Sequence, residues 1–238
     1  MTMTRTVHHQ WDAIAARYAG ALYLAIAVCG GFSIGYVPMQ IVGPDGAASL
    51  ANLKANEGLF LLGVFADCAV ILFELAITAV LYQLFRSISP LMSTIALISR
   101  AGMIVVMGLN LLIWVLPYAL LQSASGPHVS PEMVQLSFRA HDLGVFVWQL
   151  FFGVHLLALG WLTVRSSIVP TILGRGLFIG AFGYLIQGVV ELMFIDLPII
   201  NALVILLLII VTVSEISFGL WLLIRGARKP SATALSFA

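Results

Sequence analysis

The chain has 238 residues, 61% of them hydrophobic and 9% charged, with a formal net charge of +1 and a mean hydropathy of +1.09. A soluble domain carries about 25% charged residues, so this composition excludes a water-soluble globule. The charge balance likewise excludes a nucleic-acid partner, because a phosphate-binding face needs clustered Lys and Arg. The solvent, and the first partner, is a lipid bilayer.

Six apolar stretches are each long enough for the ~20 helical residues that cross a hydrocarbon core of roughly 30 Å. They lie at about 18–42, 57–85, 91–121, 132–164, 172–194 and 198–224 and leave no room for a second domain. A lipid-exposed backbone must satisfy its own hydrogen bonds, and no run alternates as a barrel strand does, so all six are predicted to be helices. The expectation is an all-α, polytopic six-helix bundle forming one integral membrane domain in the plasma membrane.

Before the first span, MTMTRTVHHQWDAIAARYAG is polar over residues 1–17 and no A-x-A-like cleavage site follows, so the first helix is expected to be retained. The connections VGPDGAASLAN, SISP, QSASGPHVSP, RSSIVP and DLP have turn compositions. Arg5, Arg17, Arg86, Arg165, Arg175, Arg225, Arg228 and Lys229 fall on one side of the membrane and Lys54 on the other. Retention of positive charge on the inner side then predicts that both termini are cytoplasmic. The second, fourth and sixth spans also end alike, with Tyr82, Trp161 and Trp221 each four positions before Arg86, Arg165 and Arg225. That is an interfacial aromatic with a snorkelling anchor beyond it. Cys29 and Cys68 fall within spans and read as buried free thiols.

Small residues mark packing seams. Gly31 and Gly35 make one G-x-x-x-G, Gly176 and Gly180 another, and Gly153 with Gly160 line a face of the fourth span. Contact within one chain is the simpler reading of each. A homo-oligomer through Gly31/Gly35 or Gly176/Gly180 is the alternative.

Seven charged residues lie within the spans and away from their ends: Asp67, Glu74, Arg100, Arg139, Asp142, Glu191 and Glu215, together with His141 and His155. An ion near the bilayer centre costs ~2.5–3.5 kcal/mol even on the lenient insertion scale, so these groups are expected to face inward and meet. Glu74 lies twelve residues before Arg86, His155 and Glu215 ten before Arg165 and Arg225, and Arg100 ten after Pro90. At 1.5 Å per residue all four sit ~15–18 Å from the inner ends, giving a predicted inner polar cluster of Glu74, Arg100, His155 and Glu215. Asp67, Arg139, His141, Asp142 and Glu191 form a predicted outer cluster. The seven-residue spacing of Asp67 and Glu74 puts both on one face of the second span, as it does His141, Trp148 and His155 on the fourth. Arg139 and Asp142 point to another face of the fourth span, which is therefore expected to be central, with neighbours all round. Five acids against two arginines leave an acidic excess, to be neutralised by a proton or a held cation.

No cofactor is implied. His155, Glu74 and Glu215 could converge, but there is no H-E-x-x-H and no second histidine at that depth, so no metal site is assigned. There is no P-loop, G-x-G-x-x-G or G-x-S-x-G, and no catalytic residue is assigned.

The segment FFGVHLLALGWLTVRSSIVPTILGRGLFIGAFGYLI (151–186) carries F-G-x-H-L-x-x-L-G-W-L, then R-S, a Pro, L-G and G-Y-L. In these residues, from Phe152 and His155 through Arg165 and Pro170 to Tyr184, it resembles a widespread family of bacterial multi-pass membrane proteins classed as a domain of unknown function. RYAGALYL (17–24) and WLLIRG (221–226) fit the same pattern, so the resemblance covers nearly the whole chain. It implies six helices in a plasma membrane, adds weight to His155, and implies no activity. Three functions remain open: ion-linked, proton-linked or small-molecule handling around the acidic excess; a membrane scaffold or accessory subunit whose charges lock the bundle; and an intramembrane enzyme on a lipid or apolar substrate, with His155 and Glu215 as acid and base.

Overall fold

The computed structural model describes residues 2–123, 129–166 and 168–226, with side chains from residue 13 onward. Among these residues the fold is all helical. Helix α1 spans Thr2–Gly30, continues through a π-helical segment, Gly31–Tyr36, and ends in α2, Val37–Ile41; α3 is Gly46–Ala55, α4 Glu57–Phe85, α5 Pro90–Leu121, α6 Pro131–Arg165, α7 Thr171–Leu192 and α8 Pro198–Arg225. Six of the rods are long and apolar enough to cross a membrane: Ala13–Ile41, Glu57–Phe85, Pro90–Leu121, Pro131–Arg165, Thr171–Leu192 and Pro198–Arg225. They match the six predicted spans.

Local sequence explains several helix starts. The Ser89 and Ser130 hydroxyls accept from the Met92 and Met133 amides at 3.3 Å, with Pro90 and Pro131 next in the chain, so both helices begin on a serine cap and a proline that needs no N–H partner. One connection is not the expected turn. In VGPDGAASLAN the Asp45 carboxylate accepts from the Ala48 amide at 2.8 Å and caps α3, and Leu53 of α3 is buried with Val134 and Phe138 of α6. Good helix formers behind a strong cap make a helix where Gly and Pro alone read as a loop.

The spans form a ring. Each packs on its sequence neighbours, α4 on α5, α5 on α6, α6 on α7 and α7 on α8, while α1 packs on both α4 and α8 and closes the circle. Glycines set the closest seams. A Cβ on Gly20 would run into the backbone of Gly219 and Leu223, and Gly180 abuts Val211. Gly160 and Gly174 meet each other's helix, so α6 and α7 approach backbone to backbone. Gly176 packs on Ser214, so the Gly176/Gly180 stripe is a seam inside the chain, whereas Gly31 and Gly35 have open space beside them.

Two expectations change. Helix α6 is the most buried span, yet it is one member of the ring, and its Arg139 and Asp142 face is exposed. Cys29 and Cys68 are free thiols, but Cys68 is exposed and Cys29 half-buried; lipid gives an apolar side chain no reason to turn inward. Of the predicted membrane anchors, Arg165 is seen with its guanidinium 5.3 Å from the Trp161 ring centre. Arg228 and Lys229 lie outside the described residues, as does the side chain of Arg5.

A polar cluster and cavity at the centre of the ring

Arg100 is the hub. It is fully buried on α5 and spends its donors in three directions: Nε to Glu74 Oε2 of α4 at 2.5 Å, and Nη1 to His155 Nε2 of α6 at 2.7 Å and to the Tyr23 hydroxyl of α1 at 3.4 Å. Its guanidinium also sits 5.4 Å from the Tyr23 ring centre and 5.6 Å from that of Phe152. A charge surrounded this way keeps hydrogen-bond and π partners in place of the water it has lost.

His155 is oriented from both ends. Its Nδ1 lies 2.8 Å from the Ala96 carbonyl oxygen, which can only accept, so the proton is on Nδ1 and Nε2 takes the Arg100 hydrogen bond. The ring is therefore neutral in this arrangement, stacked on Phe152 at 5.9 Å and 9°. The inner set is left with Glu74 paired to Arg100 and a further carboxylate, Glu215, on α8.

Glu215 lines the same cavity from the other side. Its Oε2 accepts from the Tyr184 hydroxyl of α7 at 3.4 Å, and Tyr184 packs edge-on against Phe152 at 5.2 Å. Among the described residues the only ion pair is Glu74–Arg100, so Glu215 has no cation at salt-bridge distance. Arg100 attracts it at longer range and Glu74 repels it.

These groups line one end of a cavity of about 390 Å³ to which all six spans contribute. Tyr23, Glu74, Arg100, Tyr184 and Glu215 are its polar end; Met103, Met107, Trp148, Phe152 and Ile216 are among its apolar walls. Ala27 and Gly31 of the first span and Thr212 and Ile216 of α8 line it and are also exposed, so the cavity opens sideways between α1 and α8. The two helices touch at Gly20 and Gly219, where Tyr23 meets Phe218 at 5.5 Å, and further along both line the cavity, through Ala27 and Gly31 on one and Thr212 and Ile216 on the other. The π-helical segment begins at the opening, with Gly31 at its first position.

The inner cluster thus assembles, joined by Tyr23 and Tyr184, two phenols the charge pattern does not reveal. The outer cluster does not. Asp67 and His141 are buried and line a cavity of about 20 Å³ beside Asn110, whose carbonyl oxygen lies 3.3 Å from His141 Nδ1. Ile34, Met107 and Trp148 separate that small cavity from the large one and line both. Arg139, Asp142 and Glu191 are exposed. Glu191 is one residue from the end of α7, and Arg139 borders a surface depression with Asp45 and Glu132. A charge as near a helix end as Glu191 reaches the headgroups, so nothing forces it inward.

A ring of six helices long and apolar enough to cross a membrane, around a mostly apolar cavity with a polar end, defines a multi-pass membrane protein with an internal compartment. The chain belongs to the family described as a domain of unknown function, DUF4386, whose model matches residues 18–226. It is also similar to an uncharacterized protein of Archaeoglobus fulgidus, 28% identical over 96 residues, an overlap covering 38% of this chain and 54% of that protein. The chain thus spans about half the length of this relative. No solved structure matches the chain.

Proposed function

We propose that this protein handles a small amphiphilic molecule, which enters from the bilayer between α1 and α8 and places its polar head against Glu74, Arg100, Tyr23, Tyr184 and Glu215. The observation that carries this reading is the laterally open cavity of about 390 Å³, apolar along its walls and charged at one end. Small-molecule sites run from about 300 to 1,000 Å³, mostly apolar with a few convergent polar groups. A bare ion needs far less room. An aqueous substrate would need a mouth facing water, whereas the exposed lining residues Ala27, Gly31, Thr212 and Ile216 lie on membrane-spanning helices.

The scaffold reading keeps one part of the cluster. Arg100, held by Glu74 and His155, ties α4, α5 and α6 together whatever else occurs. Glu215 and the cavity are what that reading leaves unexplained.

Quenching of Trp148, which lines the cavity, tests the proposal in lipid nanodiscs. Terminally brominated dodecanol is expected to quench it saturably, and Gly31→Leu, which fills the opening where nothing stands within 4 Å of a Cβ, is expected to remove the saturable part. A Trp148→Phe variant gives the background from the other tryptophans. Quenching that rises without saturation and ignores Gly31→Leu would overturn the proposal.

A further inference from the structure

We infer that the head group taken by the cavity is an organic cation, an ammonium or a group of like charge, held at the Glu215 carboxylate beside Trp148 and Tyr184. This rests on the cavity being an amphiphile site and names the chemistry of its occupant.

The charges lining the cavity decide the sign. They are Glu74, Glu215 and Arg100. The one cation is already committed, through Nε to Glu74 and through Nη1 to His155 and Tyr23, with aromatic rings against its guanidinium. An anionic head would find a guanidinium whose charge is already paired with Glu74, and a second carboxylate, Glu215, beside it. A cationic head finds the reverse: a carboxylate with a single hydrogen-bond donor, the Tyr184 hydroxyl, and no cation at pairing distance among the described residues.

Protonating His155 would not relieve the imbalance. Its Nδ1 proton is fixed by Ala96 and its Nε2 lone pair is taken by Arg100, so a second proton on the ring would turn an accepted hydrogen bond into a repulsion. Counting Glu74 and Arg100 as cancelled, the compartment carries the charge of Glu215 alone. In an apolar enclosure that charge is neutralised either by a proton or by a bound cation.

The surroundings of Glu215 favour an organic cation over a hydrated metal. Trp148 and Tyr184 both line the cavity, and aromatic faces attract weakly hydrated cations within about 6 Å, more strongly where water is excluded. The sulfur-bearing walls, Met103 and Met107, are soft and apolar and suit an alkyl tail. Such a head could belong to a free lipophilic amine or to an amine-bearing lipid; the chemistry at Glu215 is the same.

The experiment compares two terminally brominated probes in nanodiscs, dodecyltrimethylammonium and dodecanol, by saturable quenching of Trp148. The ammonium probe is expected to bind about tenfold more tightly, and Glu215→Gln is expected to erase most of that advantage, so that the two probes bind the variant about alike. Tyr184→Phe, which keeps the carboxylate and frees it from its donor, should preserve the preference for the ammonium probe, and the wild-type comparison stands even if a variant fails to fold. Equal affinities for the two probes, untouched by Glu215→Gln, would overturn the cationic head and leave the amphiphile cavity standing. Absence of saturable quenching by both would remove the cavity reading itself. Nanodiscs of phosphatidylglycerol with and without phosphatidylethanolamine separate the two sources: competition by the latter assigns the head to a lipid amine, and its absence assigns it to a free one.

Discussion

Arg100 Nη1 stands 2.7 Å from His155 Nε2, and the opposite nitrogen of that ring stands 2.8 Å from the carbonyl oxygen of Ala96, four residues before Arg100 on the same helix. His155 is therefore clamped by α5 at two points and reads as a neutral spacer that orients the guanidinium. The acid-base capacity of the compartment falls to Glu215, which no such clamp restrains.

This division separates stability from ligand chemistry. Glu74→Gln removes the charge opposite a fully buried arginine, and breaking one side of a buried pair costs about 3–5 kcal/mol. Thermal unfolding in detergent should show a large loss for Glu74→Gln and a small one for Glu215→Gln. Equal losses would mean that both carboxylates belong to one structural network.

Proton competition should mark the same carboxylate. A cation and a proton neutralise Glu215 alternately, so ammonium affinity is expected to fall as pH falls, because protonation removes the charge the cation needs. The groups facing Glu215 are Tyr23 on α1, Glu74 on α4, Arg100 on α5 with His155 of α6 behind it, and Tyr184 on α7. The pH dependence should vanish in Glu215→Gln and be absent for dodecanol in the wild type. A dependence that survives the substitution would place the titrating group elsewhere.

Glycine substitutions should report the ring seams one by one. An added methyl at Gly20 meets the backbone of α8, and at Gly180 it meets Val211. Each Ala substitution is expected to cost about 1–3 kcal/mol by overpacking. Gly31→Ala and Gly35→Ala add a methyl in open space, so their unfolding temperatures should stay near wild type. A collapse of the Gly31 or Gly35 variant would show that this stripe is covered by something beyond the single chain.

The inner cluster is legible in the sequence because depth follows from counting: a fixed rise per residue puts Glu74, Arg100, His155 and Glu215 at one level, and burying charge at that depth compels contact. The same arithmetic extended from charges to phenols sets Tyr184 roughly 14 Å past Arg175, at the level of the cluster it joins. Azimuth is less legible. Glu191 sits one residue from the end of α7, and Arg139 and Asp142 lie on an exposed face of α6, so a shared depth did not bring them together. Closure of the ring by α1 and α8, nearly the whole chain apart, depends on Gly20 meeting Gly219, a match with no local signature. The π-helical segment at Gly31–Tyr36 is likewise a departure that helical periodicity does not announce.

The most direct test of the central claim, that the ring encloses a compartment open to amphiphiles from the membrane, is photolabelling in nanodiscs with dodecyltrimethylammonium carrying a diazirine in its tail, read by peptide mass spectrometry. The account predicts saturable labels on Met103, Met107 or Trp148 inside the ring, displaced by the unlabelled compound and lost in Gly31→Leu. Labels confined to outward-facing side chains such as Leu112 and Leu206, which are 68% and 55% exposed, with none on the cavity walls, would contradict it.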